Sequence, residues 1–375
     1  MVAGRCVTKK LWREIIRGVP TYKPGKPIEE VRREHALDDV IKLASNENAV
    51  SPPPQVIEAI MAAAKNLNRY PDGGCFYLRR ALADKFSLSE DNFICGNGSD
   101  EIITMALRAS VDPGDEVVIA DPTFLIYKIS SVIAGATVRQ VPSKNFKYDL
   151  DRMVEAITPR TKIVFIANPD NPTGTYVTEK ELSAFLKKVP ENVLVFMDEA
   201  YYEFGTGGDY PETLGLIEKK DLNIIITRTF SKAYGLAGLR VGYGIANEDV
   251  IASLNKVREP FNVNSLAQAA AVASLADEVY PRASIAMVRE GKDKLYKKFD
   301  EMGIFYVPSR TNFILVDTKR DARKIFEHLL KKGVIIREMS SWGLDTCVRV
   351  NVGLPEENDK FLSVFEEAIN EIPVK

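Results

Sequence analysis

The chain is poor in the residues that most often carry metal or thiol chemistry. Of its 375 residues, two are histidine (His35 and His328) and four are cysteine (Cys6, Cys75, Cys95 and Cys347). The histidines lie far apart in charged, helix-like stretches, so neither a metal cluster nor a Ser-His-Asp triad is expected. No cysteines stand in Cys-x-x-Cys spacing, and a chain this long needs no disulfide framework, so reduced thiols are expected. No apolar run approaches the ~18–20 residues that a membrane span requires. Met1–Arg17 lacks the apolar block of a signal peptide, which makes a cytoplasmic location the expectation. An excess of either charge is missing as well. Fifty basic residues against fifty-two acidic ones leave a net charge of −2, which argues against nucleic acid as a partner. The phosphate loop G-x-x-x-x-G-K-[ST] is absent, and so are internal repeats and low-complexity tracts.

What is present is an ordinary soluble composition, 45% hydrophobic and 27% charged, arranged in a telling order. Short β-branched runs recur at Asn92–Cys95, Glu116–Ala120, Thr137–Val141, Lys162–Ala167, Val193–Met197, Asn223–Thr227 and Val241–Ile245. Ile163–Ile166 and Ile224–Ile226 are apolar on both faces, as parallel strands covered by helices must be. Amphipathic stretches such as Asp100–Ser110 and Thr178–Lys188 separate them, which predicts an α/β unit with a mainly parallel sheet. Past Asn264 the texture changes. Helices are predicted at Leu266–Leu275, Ala283–Met302, Ala322–Lys332 and Glu357–Ile372, with strands at Phe313–Asp317, Val334–Arg337 and Val348–Val352. That is a smaller α+β unit. Near the N-terminus an arm containing Pro20, Pro24, Gly25 and Pro27 leads through a helix to the strand Val40–Leu43.

The chemistry-bearing motifs fall at the carboxyl ends of predicted strands, where open α/β sheets bind ligands. Gly96-Asn97-Gly98-Ser99-Asp100-Glu101 offers a tight turn and helix-start N–H groups suited to a phosphate, although ordinary helix initiation looks the same. Asp121-Pro122-Thr123-Phe124 delivers an aromatic that could stack on a flat ring or simply fill core. Asn168-Pro169-Asp170-Asn171-Pro172-Thr173-Gly174 makes a rigid loop, with either Asn-Pro bond open to the cis form, and so can present the Asn171 amide as a donor. Asp198 closes the apolar run Val195-Phe196-Met197 and must meet a cation, a metal or a helix N-terminus, since an unpaired buried carboxylate is costly. Glu199 beside it leaves a metal reading open. Finally, Thr229-Phe230-Ser231-Lys232-Ala233-Tyr234-Gly235 places a lysine in an apolar setting, with Arg240 shortly after. To act as nucleophile or base, Lys232 must be tuned below its usual pKa of ~10.4 by desolvation or a nearby cation.

Taken together, these motifs resemble the fold-type-I pyridoxal-phosphate enzymes and, within them, the histidinol-phosphate aminotransferase family. The likeness extends through Tyr22 with Pro24-Gly25-Lys26, Leu43-Ala44-Ser45-Asn46-Glu47-Asn48, Arg69-Tyr70-Pro71-Asp72-Gly73, Pro260-Phe261-Asn262-Val263-Asn264 and Arg349-Val350-Asn351-Val352-Gly353. It implies an α/β fold with an N-terminal arm and small-domain segment over 1–44. A large cofactor domain with a seven-stranded, mainly parallel sheet would cover 45–285, and a small α+β domain 286–375.

It also implies roles for individual residues. Lys232 would be the Schiff-base lysine and proton carrier, Asp198 the partner of the pyridine nitrogen. Asn171 and Tyr201 would bond the ring's phenolic oxygen, and Phe124 would stack on the ring. Gly98, Ser99, Asp100, Thr229, Ser231 and Arg240 would hold the phosphate of pyridoxal 5'-phosphate, with Tyr70 arriving from a second subunit. A homodimer with shared sites follows. Asn46, Arg337, Arg349 and Tyr22 from the partner's arm would bind substrate, an amino donor carrying phosphate and then a 2-oxo acid. Two departures bear on that pocket: Asn48-Ala49-Val50-Ser51 replaces the more usual Asn-Pro-Leu-Gly, and Trp342 stands where many relatives have tyrosine. Aromatic amino-acid aminotransferases of the same branch share nearly all these motifs and are one alternative; a threonine-phosphate decarboxylase of the same fold is the other.

Overall fold

The computed structural model describes residues 13–19, 21, 24–219 and 222–375. The first strand, β1 (Ile41–Lys42), is followed by β2 (Phe93–Gly96), β3 (Glu116–Asp121), β4 (Thr137–Pro142), β5 (Thr161–Ala167), β6 (Leu194–Asp198), β7 (Ile224–Thr229) and β8 (Gly242–Ala246). Strands β2 to β8 form one seven-stranded sheet in the order β2-β8-β7-β6-β5-β3-β4. Only β8 runs against its neighbours; β3–β4, β3–β5, β5–β6 and β6–β7 pair in parallel. Ile163–Ile166, Val195–Met197 and Ile224–Ile226 have essentially no exposure, because helices cover both faces of the sheet. Burial of each such side chain contributes about 1.5–3 kcal/mol.

The strand order reverses at β3. Its successor β4 pairs on one side and β5 on the other, so the loops leaving β3 and β5 turn apart and open a crevice at the carboxyl edge. The loops that carry Phe124 and Asn171 are these two.

Beyond residue 301 the chain adds β9 (Phe305–Val307), β10 (Phe313–Asp317), β11 (Val334–Ile335), β12 (Arg337–Glu338) and β13 (Cys347–Asn351). The second sheet is antiparallel in the order β12-β13-β10-β9, while β1 pairs in parallel with β11. The single strand expected over Val334–Arg337 therefore divides at Ile336 between two sheets, and β9, with its exposed Phe305, was not anticipated. Helices Ala322–Lys331 and Pro355–Glu371 pack behind this sheet. Helix Val279–Glu301 runs unbroken through the expected boundary at 285/286. Among the described residues no helix is long and apolar enough to cross a membrane. Cys6 lies outside the described residues; Cys75, Cys95 and Cys347 are buried free thiols.

Candidate active site

A cleft of about 290 Å³ opens at the carboxyl edge of the large sheet and is closed by β12, β13 and the turn at Trp342. Its walls bring together Asn46, Ser99, Asp100, Phe124, Asn171, Asp198, Tyr201, Thr229, Ser231, Lys232, Arg240, Arg337 and Arg349. Gly98 sits just behind them. Its φ of +76° suits glycine, and a β-carbon there would come within 2.6 Å of Arg240 Nη2. Tyr70 is elsewhere, 82% exposed and stacked on Phe261 at 4.6 Å. Tyr22 lies outside the described residues.

One end of the cleft is built for an anion. Helix Ser99–Ser110 begins there with its first-turn N–H groups, and Gly242 lies so close to the Ser99 nitrogen that a β-carbon would approach to 2.6 Å. Thr229 Oγ1 bonds Ser231 Oγ at 3.0 Å, and Arg240 Nη2 lies 3.3 Å from Asp100. Helix start, hydroxyls and guanidinium converge on one small space.

In the middle stand a half-buried amine and a buried carboxylate. Desolvation, aided by the positive charge of Arg349, brings the Lys232 amine down to about 8. Desolvation pushes the Asp198 carboxyl up to about 6, against the hydrogen bonds it accepts. Those come from Tyr127 Oη at 2.6 Å, Ala200 N at 3.1 Å and Thr227 Oγ1 at 3.5 Å. All three donors are neutral, and no lysine or arginine among the described residues ion-pairs with Asp198. Glu199 points to the other face of the sheet, where it meets Arg228 Nε at 2.9 Å and Thr213 Oγ1 at 2.7 Å. The adjacent carboxylates are thus separated by the strand's alternation, and among the described residues no group could hold a metal ion.

The far end is cationic. Arg337 on β12 and Arg349 on β13 are register partners, and both side chains line the cleft. Each guanidinium lies against an aromatic ring, Arg337 on Trp342 at 5.5 Å and Arg349 on Phe313 at 5.0 Å. Arg349 Nη1 also donates to Asn171 Oδ1 at 2.5 Å, which fixes that amide with its oxygen toward the arginine and leaves its NH₂ as the remaining donor. Asn46 Nδ2 donates to Tyr201 Oη at 2.7 Å.

The chain that builds this cleft matches a known family over most of its length. The description "aminotransferase class I and II" fits residues 38–365. The chain belongs to that family. It is 50% identical to the histidinol-phosphate aminotransferase of Moorella thermoacetica over 95% of this chain and 92% of that one. The enzyme of that name from Geobacillus sp. is 46% identical, covering 95% and 97%. Among solved structures, histidinol-phosphate aminotransferase from Sinorhizobium meliloti, in complex with pyridoxal-5'-phosphate, matches with a TM-score of 0.88 at 30% identity over 96% of this chain and 98% of that one. A double mutant of Thermus thermophilus aspartate aminotransferase matches at 0.81 and 26%, covering 95% and 99%.

Within this aminotransferase cleft, sequence reasoning missed Tyr127. It is fully buried, stacked on Phe165 at 4.7 Å and edge-on to Phe124 at 5.5 Å. Its spacing of three residues from Phe124 was the one available signal, since such neighbours share a helix face. Asn48, just before the departing Ala49-Val50-Ser51, donates its Nδ2 to Ser284 Oγ at 2.8 Å and reaches the carbonyl of Ala233 at 3.3 Å, bracing the lysine loop. Trp342 Nε1 donates to the Thr123 carbonyl at 2.8 Å, tying the small sheet's turn to the loop that carries Phe124.

Proposed function

We propose that this aminotransferase uses pyridoxal 5'-phosphate to transfer the amino group of histidinol phosphate to 2-oxoglutarate. The observation that carries the substrate choice is the cross-strand pair Arg337–Arg349, two cations placed opposite each other on the cleft wall. A phosphate dianion, and then a dicarboxylate, suits such a pair, since each guanidinium can take two oxygens at once.

The residues present fit the cofactor. Asp198 is a buried carboxylate whose described partners are all neutral, so it is suited to a ring nitrogen that carries a proton. Gly98 and Gly242 leave room that a β-carbon would fill beside Ser99 N and Arg240. Ser99, Asp100, Thr229, Ser231 and Arg240 would hold the phosphate, Asn171 and Tyr201 the phenolic oxygen, and Phe124 one ring face. When bound, pyridoxal phosphate supplies an electron sink that stabilises negative charge at the donor's Cα. Lys232 then takes the Cα proton. A base with pKa near 8 is matched to that task at neutral pH, whereas an ordinary lysine is almost wholly protonated. Asn171, oriented by Arg349, donates its NH₂ into the cleft, and Asn46 orients the Tyr201 hydroxyl.

A homodimer with shared sites belongs to the same reading, supported by the exposed side chains of Met61, Leu67, Tyr70, Phe76, Tyr77 and Phe261. Tyr70 and Tyr22 would complete the partner's cleft, and sedimentation equilibrium should return a two-chain mass. We also take 45–285 as the cofactor-holding unit, 286–375 with 1–44 as the substrate-closing one, and the cytoplasm as the location. The test of the whole is a donor panel with 2-oxoglutarate as acceptor. Histidinol phosphate should exceed phenylalanine and tyrosine in kcat/KM by at least about tenfold, the size of one good charge-assisted contact. Faster turnover of the aromatic amino acids would overturn the substrate choice, and release of carbon dioxide from threonine phosphate would mark a decarboxylase.

A further inference from the structure

Asp170 is a buried carboxylate that the chemistry above does not use. It is 1% exposed, lies between Pro169 and Asn171 in the cleft wall, and forms no ion pair with any described residue. Both of its oxygens are occupied by neutral donors. Oδ1 accepts from Tyr148 Oη at 2.7 Å and Thr123 Oγ1 at 3.0 Å. Oδ2 accepts from Thr173 Oγ1 at 2.8 Å and Thr173 N at 3.1 Å. The backbone repeats the closure, with Asp170 N donating to Thr175 O and Gly174 N to Asp170 O.

These donors come from different parts of the chain. Thr123 immediately precedes Phe124, and its carbonyl accepts the bond from Trp342 Nε1. Tyr148 follows β4, and Thr173 belongs to the same loop as Asn171. An ionised carboxylate accepts only, so it can take four donated bonds at once. An amide of the same shape would set its own NH₂ against some of these donors and leave buried groups unsatisfied. Burial raises the Asp170 carboxyl to about 6, with the four donors opposing it, so the acceptor form prevails at neutral pH.

We propose that Asp170 is a positioning residue, an acceptor hub that holds Phe124 and Asn171 in fixed relation and, through Thr123, seats Trp342 against them. What those walls hold rests on the function proposed above; the clamp itself does not. Catalytic alignment tolerates only about 0.5 Å and 10–20°, and Phe124 and Asn171 leave different strands whose loops the Thr123–Asp170 bond joins directly, with Tyr148 bonded to both residues.

The experiment has two arms and two variants, Asp170→Asn and the milder Tyr148→Phe. In the cofactor-free chain, amide hydrogen exchange should quicken about tenfold or more across 168–176 and 121–125 in Asp170→Asn, and less in Tyr148→Phe, with Ile224–Thr229 unchanged, as expected of local opening. In the loaded enzyme, kcat should fall about 10–100-fold with a smaller change in KM, and the visible circular dichroism of the bound cofactor should change. Unchanged exchange in both segments overturns the clamp, even where the variant melts at a lower temperature. Changed exchange with unaltered kcat and dichroism overturns the positioning role. A wild-type chain that binds no pyridoxal phosphate overturns the functional reading instead, and the exchange arm still decides the clamp.

Discussion

Replacing Tyr127 with phenylalanine isolates one hydrogen bond to Asp198. The ring packs on Phe165 at 4.7 Å with planes 11° apart, so phenylalanine keeps the fold and only the hydroxyl is lost. That hydroxyl donates to Asp198 Oδ2 at 2.6 Å, whereas the other donors, Ala200 N and Thr227 Oγ1, address Oδ1. A hydrogen bond to a charged group contributes about 1.5–3 kcal/mol, equivalent to roughly one to two pKa units. Desolvation already places the Asp198 carboxyl at about 6. The variant's carboxyl therefore moves upward to roughly 7–8, and at pH 7 half or more of it is protonated before the cofactor binds. The sign is fixed: the ionised form pairs with a protonated ring nitrogen, and it is lost as pH falls, at a higher pH in the variant. Pyridoxal-phosphate dissociation constants, measured by titration of the bound chromophore, should rise about 2–10-fold at pH 7, as the ionised fraction falls. The gap should widen between pH 8 and pH 6. Equal affinity and an identical pH profile for variant and wild type would show that Tyr127 does not govern Asp198.

Lys232 has an ordinary pKa lowered to about 8 by burial first and by Arg349 second. The rate at which cofactor-free enzyme captures pyridoxal phosphate should therefore climb with pH through a midpoint near that value, and Arg349→Ala should move the midpoint upward; stopped-flow absorbance checks both. Lys232→Ala should abolish transamination, and any variant retaining wild-type turnover in a coupled assay would contradict its role. Gly98→Ala sets a β-carbon 2.6 Å from Arg240 Nη2 at a φ of +76°; a denaturant melt should show a loss of about 1–3 kcal/mol, and cofactor retention should weaken. Arg337→Ala should raise KM for histidinol phosphate about tenfold or more, the size of a charge-assisted contact, with a smaller effect on the retained half-reaction anchored by Arg349. Steady-state kinetics on each substrate separates the two.

Much of this protein could be read from local patterns. The seven strands of the main sheet fall within a residue or two of the runs of buried β-branched residues, because a covered parallel strand must be apolar on both faces. Phe124, Asn171 and Lys232 follow strands β3, β5 and β7, Asp198 ends β6, and a parallel sheet brings the carboxyl ends of its strands to one edge. Order along the chain and residue type were therefore enough to gather the cleft's chemistry. The short strand β9 was missed because three residues with an exposed Phe305 carry no period that separates strand from loop. The division at Ile336 was missed because it depends on two partners, β1 and β13, that are distant in sequence.

Relations across strands were decided by tertiary structure alone. Arg337 faces Arg349 because β12 pairs with β13 in one register, and a slip by one residue would turn either side chain to the opposite face. Glu199 is withdrawn from the site because Arg228 awaits it on the far side of the sheet. Tyr127 meets Asp198, and Asp170 gathers Thr123 and Tyr148, because β3 and β5 are neighbours although the chain builds β4 between them. The amino acids present at each strand end were set by the sequence. Which of them touch, and with what pKa and orientation, follows from long-range packing, because hydrogen bonds and desolvation depend on neighbours that local composition does not specify.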